Sequence, residues 1–332
     1  MSIPVTRLQP FYSGQFGVQG SDVSRGLRTS PAGVVFYVDA NHPNATATAD
    51  GTDPENPLTT IAAAFARLVT FHALGSVQAE GSVIVVAPGT YTDNITIDRT
   101  SYPADCTLLA AANSKFDVVW VPASGDALTI DQSGWVVDGF HFQPAADGSG
   151  VHLTWTAGAG AEDTYIQNCF FDGRWATGLF NIELDGAPAN VTIQNCRFAE
   201  FGVGDPCITV ASTATADPYQ CHILGNTFQE CGEYITSDVA GGWSQTIIAG
   251  NLFCAATADA AYPAGAGGTL IYIDLAGATN GYNTIYGNIC PGDYSIAGGY
   301  IPGTNDTWIG NYASDVAEAE IGDNGITILP PA

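Results

Sequence analysis

The sequence predicts an all-β fold: a single-stranded right-handed parallel β-helix, a solenoid, with a capping helix near its N-terminus. Three observations predict it. A short phrase recurs: Tyr165-Ile166-Gln167-Asn168-Cys169-Phe170-Phe171, Val191-Thr192-Ile193-Gln194-Asn195-Cys196-Arg197-Phe198, His222-Ile223-Leu224-Gly225-Asn226-Thr227-Phe228, Thr246-Ile247-Ile248-Ala249-Gly250-Asn251-Leu252-Phe253, Thr284-Ile285-Tyr286-Gly287-Asn288-Ile289-Cys290 and Thr307-Trp308-Ile309-Gly310-Asn311-Tyr312. Its asparagines fall at uneven intervals, which a solenoid tolerates because insertions of any length leave at a corner without disturbing the stacked core. Only 12% of residues are charged while 39 are Gly, a composition of short strands and many turns.

Each copy reads as a β-branched or aromatic run, a Gln-Asn or Gly-Asn turn, and a further apolar residue. Along a strand, side chains alternate inward and outward before the chain turns to the next face. Asparagine suits such a corner, since it tolerates the left-handed conformation and its amide bonds to backbone. Asn168, Asn195, Asn226, Asn251, Asn288 and Asn311 are therefore expected at equivalent corners, bonding coil to coil as one internal ladder. The residues after them (Cys169, Cys196, Thr227, Leu252, Ile289) are expected to share a column. A propeller is the competing architecture, but its repeats are longer and carry four strand signals each.

Taken in order, residues 1–33 form an arm with no sustained period, punctuated by Gly14, Gly17, Gly20, Gly26 and Gly33. Two readings stand for it: a terminus without fixed structure, or an attachment segment that orders on a partner through Phe11, Tyr12 and Phe16. Residues 34–332 form the solenoid domain. Val34 to Asp39 reads as a strand, followed by a polar loop. Ile61, Phe65, Leu68 and Phe71 follow helical spacing, so a helix is expected over about 59–72 with Thr59 or Thr60 as its cap. Ser82 to Tyr91 gives a buried strand and a tight turn, and Asn94-Ile95-Thr96-Ile97 starts the next strand. Trp135-Val136-Val137-Asp138-Gly139-Phe140 resembles the later phrase with Asp138 near the Asn position. Regular coils span about 165–312, and residues 313–332 close the domain.

The succession Tyr37-Val38-Asp39, Asp50-Gly51-Thr52, Asn56-Pro57-Leu58-Thr59-Thr60-Ile61, a short helix, Ile84-Val85-Val86-Ala87-Pro88-Gly89-Thr90-Tyr91 and Asn94-Ile95-Thr96-Ile97 resembles the N-terminal section of pectate-lyase-like β-helix proteins. The resemblance implies that the helix plugs the open end of the solenoid, hiding the apolar cross-section of the first coil. It implies a fold and not one activity, because enzymes, surface proteins and bacteriophage virion proteins share this opening. The C-terminal segment through Asp323-Asn324-Gly325-Ile326-Thr327-Ile328-Leu329-Pro330-Pro331 resembles the ends of uncharacterised β-helix proteins encoded beside structural genes of tailed phages.

Charge narrows the function. Eight Lys+Arg against 33 Asp+Glu give a net charge of −25. Such a surface repels nucleic acid, and it equally repels the polyuronates that lyases of this fold act on. No apolar run approaches the ~20 residues of a membrane span, and Met1 to Arg7 lacks the apolar core of a secretory signal. Eight cysteines without a C-x-x-C pair argue for stacked free thiols; bridges among Cys207, Cys221 and Cys231 stay open.

Glycoside hydrolysis needs two carboxylates ~5–10 Å apart. The candidates are Asp172, Glu183, Asp185, Glu200 and Asp205, with Asp172 and Glu200 placed to sit one coil apart on one face. The bland reading is solvated charge, expected on so acidic a protein. The Asn-Thr-Asp, Asp-Asp, His-Gly and Arg-Ile-Lys stations of polygalacturonase-like enzymes are absent from the sequence, as is the basic pair of pectate lyases. No cofactor is implied, and Ca²⁺ is the single candidate ion, with Asp39, Asp50, Asp53 and Glu55 as oxygen ligands. Trp135, Trp155, Trp175, Trp243 and Tyr262 are candidates for stacking on sugars.

The expectation is a non-catalytic virion structural protein, a bacteriophage capsid-decoration or fibre/spike component. Its arm would bind other virion proteins, its body would contact surface polysaccharide, and it would assemble as a homotrimer. The alternatives are a secreted polysaccharide hydrolase or lyase and a carbohydrate-binding adhesin.

Overall fold

The computed structural model describes residues 33–73, 79–112, 114, 116–156, 158–174, 180–211, 217–237, 242–254, 271–276, 281–293, 299–315, 321–322 and 326–327. Within them the chain is almost entirely β, with parallel sheets and one helix. The arm, with Phe11, Tyr12 and Phe16, lies outside the described residues, as do Trp175, Tyr262 and most of the closing segment.

The first face is a ten-stranded sheet running from Val35–Val38 through Val83–Val86, Thr107–Ala110, Val136–Asp138, Tyr165–Gln167, Thr192–Gln194, His222–Leu224, Ile247–Ala249 and Thr284–Tyr286 to Thr307–Ile309. Every neighbouring pair is parallel and in register, as in Ile166↔Ile193, Ile193↔Ile223 and Ile223↔Ile248. Two further faces are built the same way. The second includes Val118–Trp120, His141–Phe142, Phe170–Asp172 and Leu252–Phe253; the third includes Ile95–Asp98, Leu128–Asp131, Ser149–Thr156 and Phe180–Asp185. From Val83 onward successive coils add rungs to the three faces, which is the stacking of a parallel β-helix.

Inward positions build one continuous core. On the second face Phe142, Phe171, Phe198, Phe228 and Phe253 stack with ring centroids 5.1, 4.9, 4.9 and 5.0 Å apart. Those distances match the ~4.8 Å spacing of adjacent strands, so each ring repeats the position of the one below. The coils before residue 165 stack as well, from Val35–Val38 onward, because apolar inward residues suffice for stacking even where the turn chemistry differs.

Most strands of the faces are two to six residues long. Arg197–Val210 and Thr227–Ser237 instead run 14 and 11 residues around the corner between the second and third faces. Their corners are taken by left-handed residues within the strand, Glu200 (φ 63°) and Glu230 (φ 54°).

The helix is Ile61–Ala73. Thr60 is its cap, its hydroxyl accepting the Ala63 N–H at 3.1 Å. Asp93 reaches in from the next coil to accept the Ile61 N–H at 3.1 Å. Ile61, Ala64, Phe65 and Leu68 are buried in the main core, and Phe65 stacks on Trp135 at 5.6 Å.

The ladder corrects the expected one. Gln194 pairs with Leu224 and Arg197 with Thr227, so Asn195 matches Gly225 and Cys196 matches Asn226. Asn168 and Asn195 hold the left-handed turn position (φ 56° and 54°) that Gly225, Gly250, Gly287 and Gly310 hold in later coils (φ 63–64°). Asn226, Asn251, Asn288 and Asn311 sit one residue later, pointing inward and buried, below Cys169 and Cys196. There the rungs are uniform. Asn251 Oδ1 accepts the Asn226 N–H at 2.9 Å and its Nδ2 at 3.1 Å, while Asn251 Nδ2 donates to the Ile223 carbonyl at 2.9 Å and to Asn288 Oδ1 at 3.0 Å. Asn288 and Asn311 repeat this pattern. Thr227, Leu252 and Ile289 leave the expected column too, and point outward on the second face.

A second ladder runs along the opposite edge of the first face. Thr246 N–H donates to Asn283 Oδ1 at 2.9 Å, and Asn283 donates from its N–H and Nδ2 to Asp306 Oδ1, both at 2.9 Å. All eight cysteines are free; seven are buried, and Cys207, Cys221 and Cys231 are not bridged.

Candidate functional site

The five acidic candidates separate onto two faces and a corner. Asp172 projects outward from the second face beside His141, whose Nε2 lies 3.3 Å from Asp172 Oδ2. Gln143 Nε2 donates to the same oxygen at 3.1 Å, and the Arg174 N–H donates to Oδ1 at 3.1 Å. Burial opposes its ionisation, but these hydrogen bonds and the nearby imidazole outweigh burial and lower its pKa. Glu200, at the corner one coil on, is shifted the other way, by burial first and then by the charges of Asp172 and Glu230. Arg197 lies over the Phe170 ring at 5.2 Å and donates to Gln229 at 2.8 Å. Phe116 meets Phe170 edge-on at 5.0 Å and is half exposed.

Glu183 and Asp185 belong to the third face, with a histidine that sequence reasoning passed over. His152 pairs with Thr129 on one side and Glu183 on the other, so its ring sits between two coils. Its Nδ1 is 2.9 Å from Asp126 Oδ2 and its Nε2 is 4.0 Å from Glu183 Oε2. Asp126 also accepts the Ser149 N–H at 2.7 Å and the Thr129 hydroxyl at 3.1 Å, and Glu183 accepts the Ser149 hydroxyl at 3.0 Å. Burial disfavours the imidazolium, yet the bond to Asp126 and the charges of Glu183, Asp126 and Asp185 prevail, so the His152 pKa is raised above 6.5. Only the coil-to-coil register, not any spacing of residues, brings Asp126, His152 and Glu183 together.

Asp205, only 4% exposed, lies at the register shift of the long strand. Its charge, after burial, helps raise the pKa of Glu233.

The four Ca²⁺ candidates are not gathered; among the described residues no three His, Cys, Asp or Glu side chains are placed to hold a metal ion. Asp39, Asp50 and Asp53 each accept the backbone N–H two residues on, at 2.9 Å, closing tight turns. Trp135 and Trp243 are core residues without exposed surface, so neither offers a platform to a sugar. No helix among the described residues is long and apolar enough to cross a membrane.

No protein-family model and no curated sequence matches the chain. Among solved structures it is similar to a rhamnogalacturonan lyase, at 13% identity over 85% of this chain and 74% of that chain, with a TM-score of 0.43. Pectate lyase Pel9A matches at 14% identity over 92% and 76%, TM-score 0.41. The Dettilon tailspike protein matches at 14% over 85% and 62%, TM-score 0.33. The chain resembles the pectate-lyase-like β-helix proteins. At such identities the likeness concerns the fold, and every statement about the site rests on this chain's own geometry.

The last coils carry a different kind of surface. Outward positions there are Thr284, Tyr286, Thr307 and Ile309 on the first face and Leu252, Ile289 and Tyr312 on the second. None is charged. Leu252, Tyr286, Ile289, Ile309 and Tyr312 are all exposed, Ile309 to 52%, and they flank a single corner, the turn through Gly287-Asn288 and Gly310-Asn311.

Proposed function

We propose that this chain is a non-catalytic structural protein of a virion, a bacteriophage capsid-decoration or fibre/spike β-helix. Its coils wind right-handed, the helix at Ile61–Ala73 closes the first of them, and residues 1–33 fasten the protein to other virion proteins. The observation that carries this reading is the charge-free apolar corner of the last coils. A protein with a net charge of −25 repels its own copies except where its surface is uncharged. Apolar patches of this kind mark interaction sites.

The corner also bears on the number of copies. In a closed ring about this corner, each protomer would turn one flank to each of two neighbours. This supports a homotrimer, with the acidic sides turned outward toward host polysaccharide. The test is the mass of the native protein in solution. Tyr286→Asp with Ile289→Asp should convert a trimer into a folded monomer that no longer joins particles, and deletion of residues 2–30 should likewise abolish incorporation. A monomeric wild-type protein, or incorporation that survives both changes, overturns the reading.

A specific observation favours a second reading, a polysaccharide hydrolase or lyase. Asp172 and Glu200 interact, and their pKa values are driven in opposite directions. Against its burial, His141, the Arg174 N–H and Gln143 lower the Asp172 pKa, while burial and the charge of Asp172 raise that of Glu200, and opposite shifts in neighbouring carboxylates fit a division into base and acid. Turnover of a polysaccharide that is lost in Asp172→Asn and Glu200→Gln would establish it.

A further inference from the structure

We propose that residues 18–32 of this chain lie across the outward side of the first face, over its first four strands. The motive begins in the sequence. Outward positions in those strands are Val35, Tyr37, Val83, Val85, Thr107, Leu109 and Val136, whereas the next two coils place Tyr165, Gln167, Thr192 and Gln194 there. Strands that are apolar on both sides belong to sheets covered on both sides.

Burial agrees. Val83, Val85 and Leu109 form a cluster separate from the main core, joined by Val35, Tyr37 and Ala111. Val136 and Thr107 have no exposed surface, and Asp138, outward in the same sheet, is 2% exposed. The Thr107 hydroxyl finds no hydrogen-bond partner among the described residues, although it points into this covered side. A peptide backbone crossing there supplies the missing polar partner.

Tether and charge name the occupant. The described chain starts at the edge of the patch, where the Val34 N–H donates to Ser82 Oγ at 3.1 Å and the Val83 N–H donates to the Val34 carbonyl at 2.9 Å. Four strands make a patch ~15–20 Å long, and fifteen extended residues reach ~50 Å. Val18, Val23, Leu27 and Pro31 supply apolar side chains between Ser and Gly. Residues 1–32 carry three arginines (Arg7, Arg25, Arg28) and one acid, Asp22, while the rest of the chain holds five cations and 32 acids. A basic segment is drawn to an acidic body. Phe11, Tyr12 and Phe16 lie beyond the seat and stay free for the attachment proposed above.

Two truncations and a crosslink test this on the isolated protein, independently of particles. Removing residues 2–16 should leave amide exchange in Val83–Val86 and Thr107–Ala110 unchanged. Removing residues 2–30 should speed it at least tenfold and raise the binding of a hydrophobic dye. Full-length protein with photo-leucine at Leu27, irradiated as a mixture of isotopically light and heavy chains, should crosslink within one chain to residues 83–85 or 107–109. Unchanged exchange in the longer truncation overturns the proposal. So do crosslinks joining light to heavy chains, which would seat a neighbour's segment there, and crosslinks that miss this face. Should the longer truncation fail to fold, the crosslink decides alone.

Discussion

Replacing Asn251 by alanine is the sharpest probe of what holds the coils together. The side chain is 1% exposed and makes four hydrogen bonds. Its loss strands the Asn226 N–H and removes one partner each from the Ile223 carbonyl, the Asn226 amide and Asn288. A buried group left without a partner costs ~1–3 kcal/mol and each further hydrogen bond lost ~0.5–1.5 kcal/mol, so the substitution should cost about 3–6 kcal/mol. Asn195→Ala removes an exposed side chain from a left-handed turn and should cost only ~1 kcal/mol. Solenoid stability is a sum of coil and interface terms, so the Asn251 loss should appear locally. Thermal melting combined with amide exchange should show opening of Ile223–Asn226 and Ile247–Asn251 while the coils before Val136 keep their protection. Equal losses for Asn195→Ala and Asn251→Ala would refute the distinction between turn and ladder.

Further outcomes follow from the same geometry. The His152 pKa is raised, so its contribution to stability is complete below the unfolded value near 6.5 and is lost as pH rises through the folded value; the Asp126 pKa is lowered, so its share is lost as pH falls below about 3.8. Denaturant midpoints should therefore drop on the alkaline side in the wild type and lose that drop in His152→Gln. Phe65→Asp places a charge in the core against Trp135 and should cost at least ~4 kcal/mol; an unchanged melting temperature would show that the helix contributes no packing. Asn283→Leu should open the coils between Thr246 and Asp306, as Asn251→Ala does on the other edge, and exchange at Thr246 and Asn283 reports it.

The sequence by itself determined the stacking of the solenoid. Repeated apolar residues at period two and a turn dipeptide leave the chain few other ways to bury Ile166, Ile193, Ile223 and Ile248 together. It also determined the helix and narrowed its cap to Thr59 or Thr60, because those signals are local; the structure chose Thr60. Tertiary structure decided the rest. Gln-Asn and Gly-Asn look like one motif in a row of letters, yet the left-handed position accepts either Asn or Gly, and only strand register separates Asn195 from Asn226. Register likewise decided that Asp172 and Glu200 lie one coil apart while Glu183 and Asp185 belong to another face, and that His152 bridges Asp126 and Glu183. Those neighbours are a full coil apart in the chain, and the coils differ in length. The spacing that brings two side chains together therefore exists only once the coils have stacked.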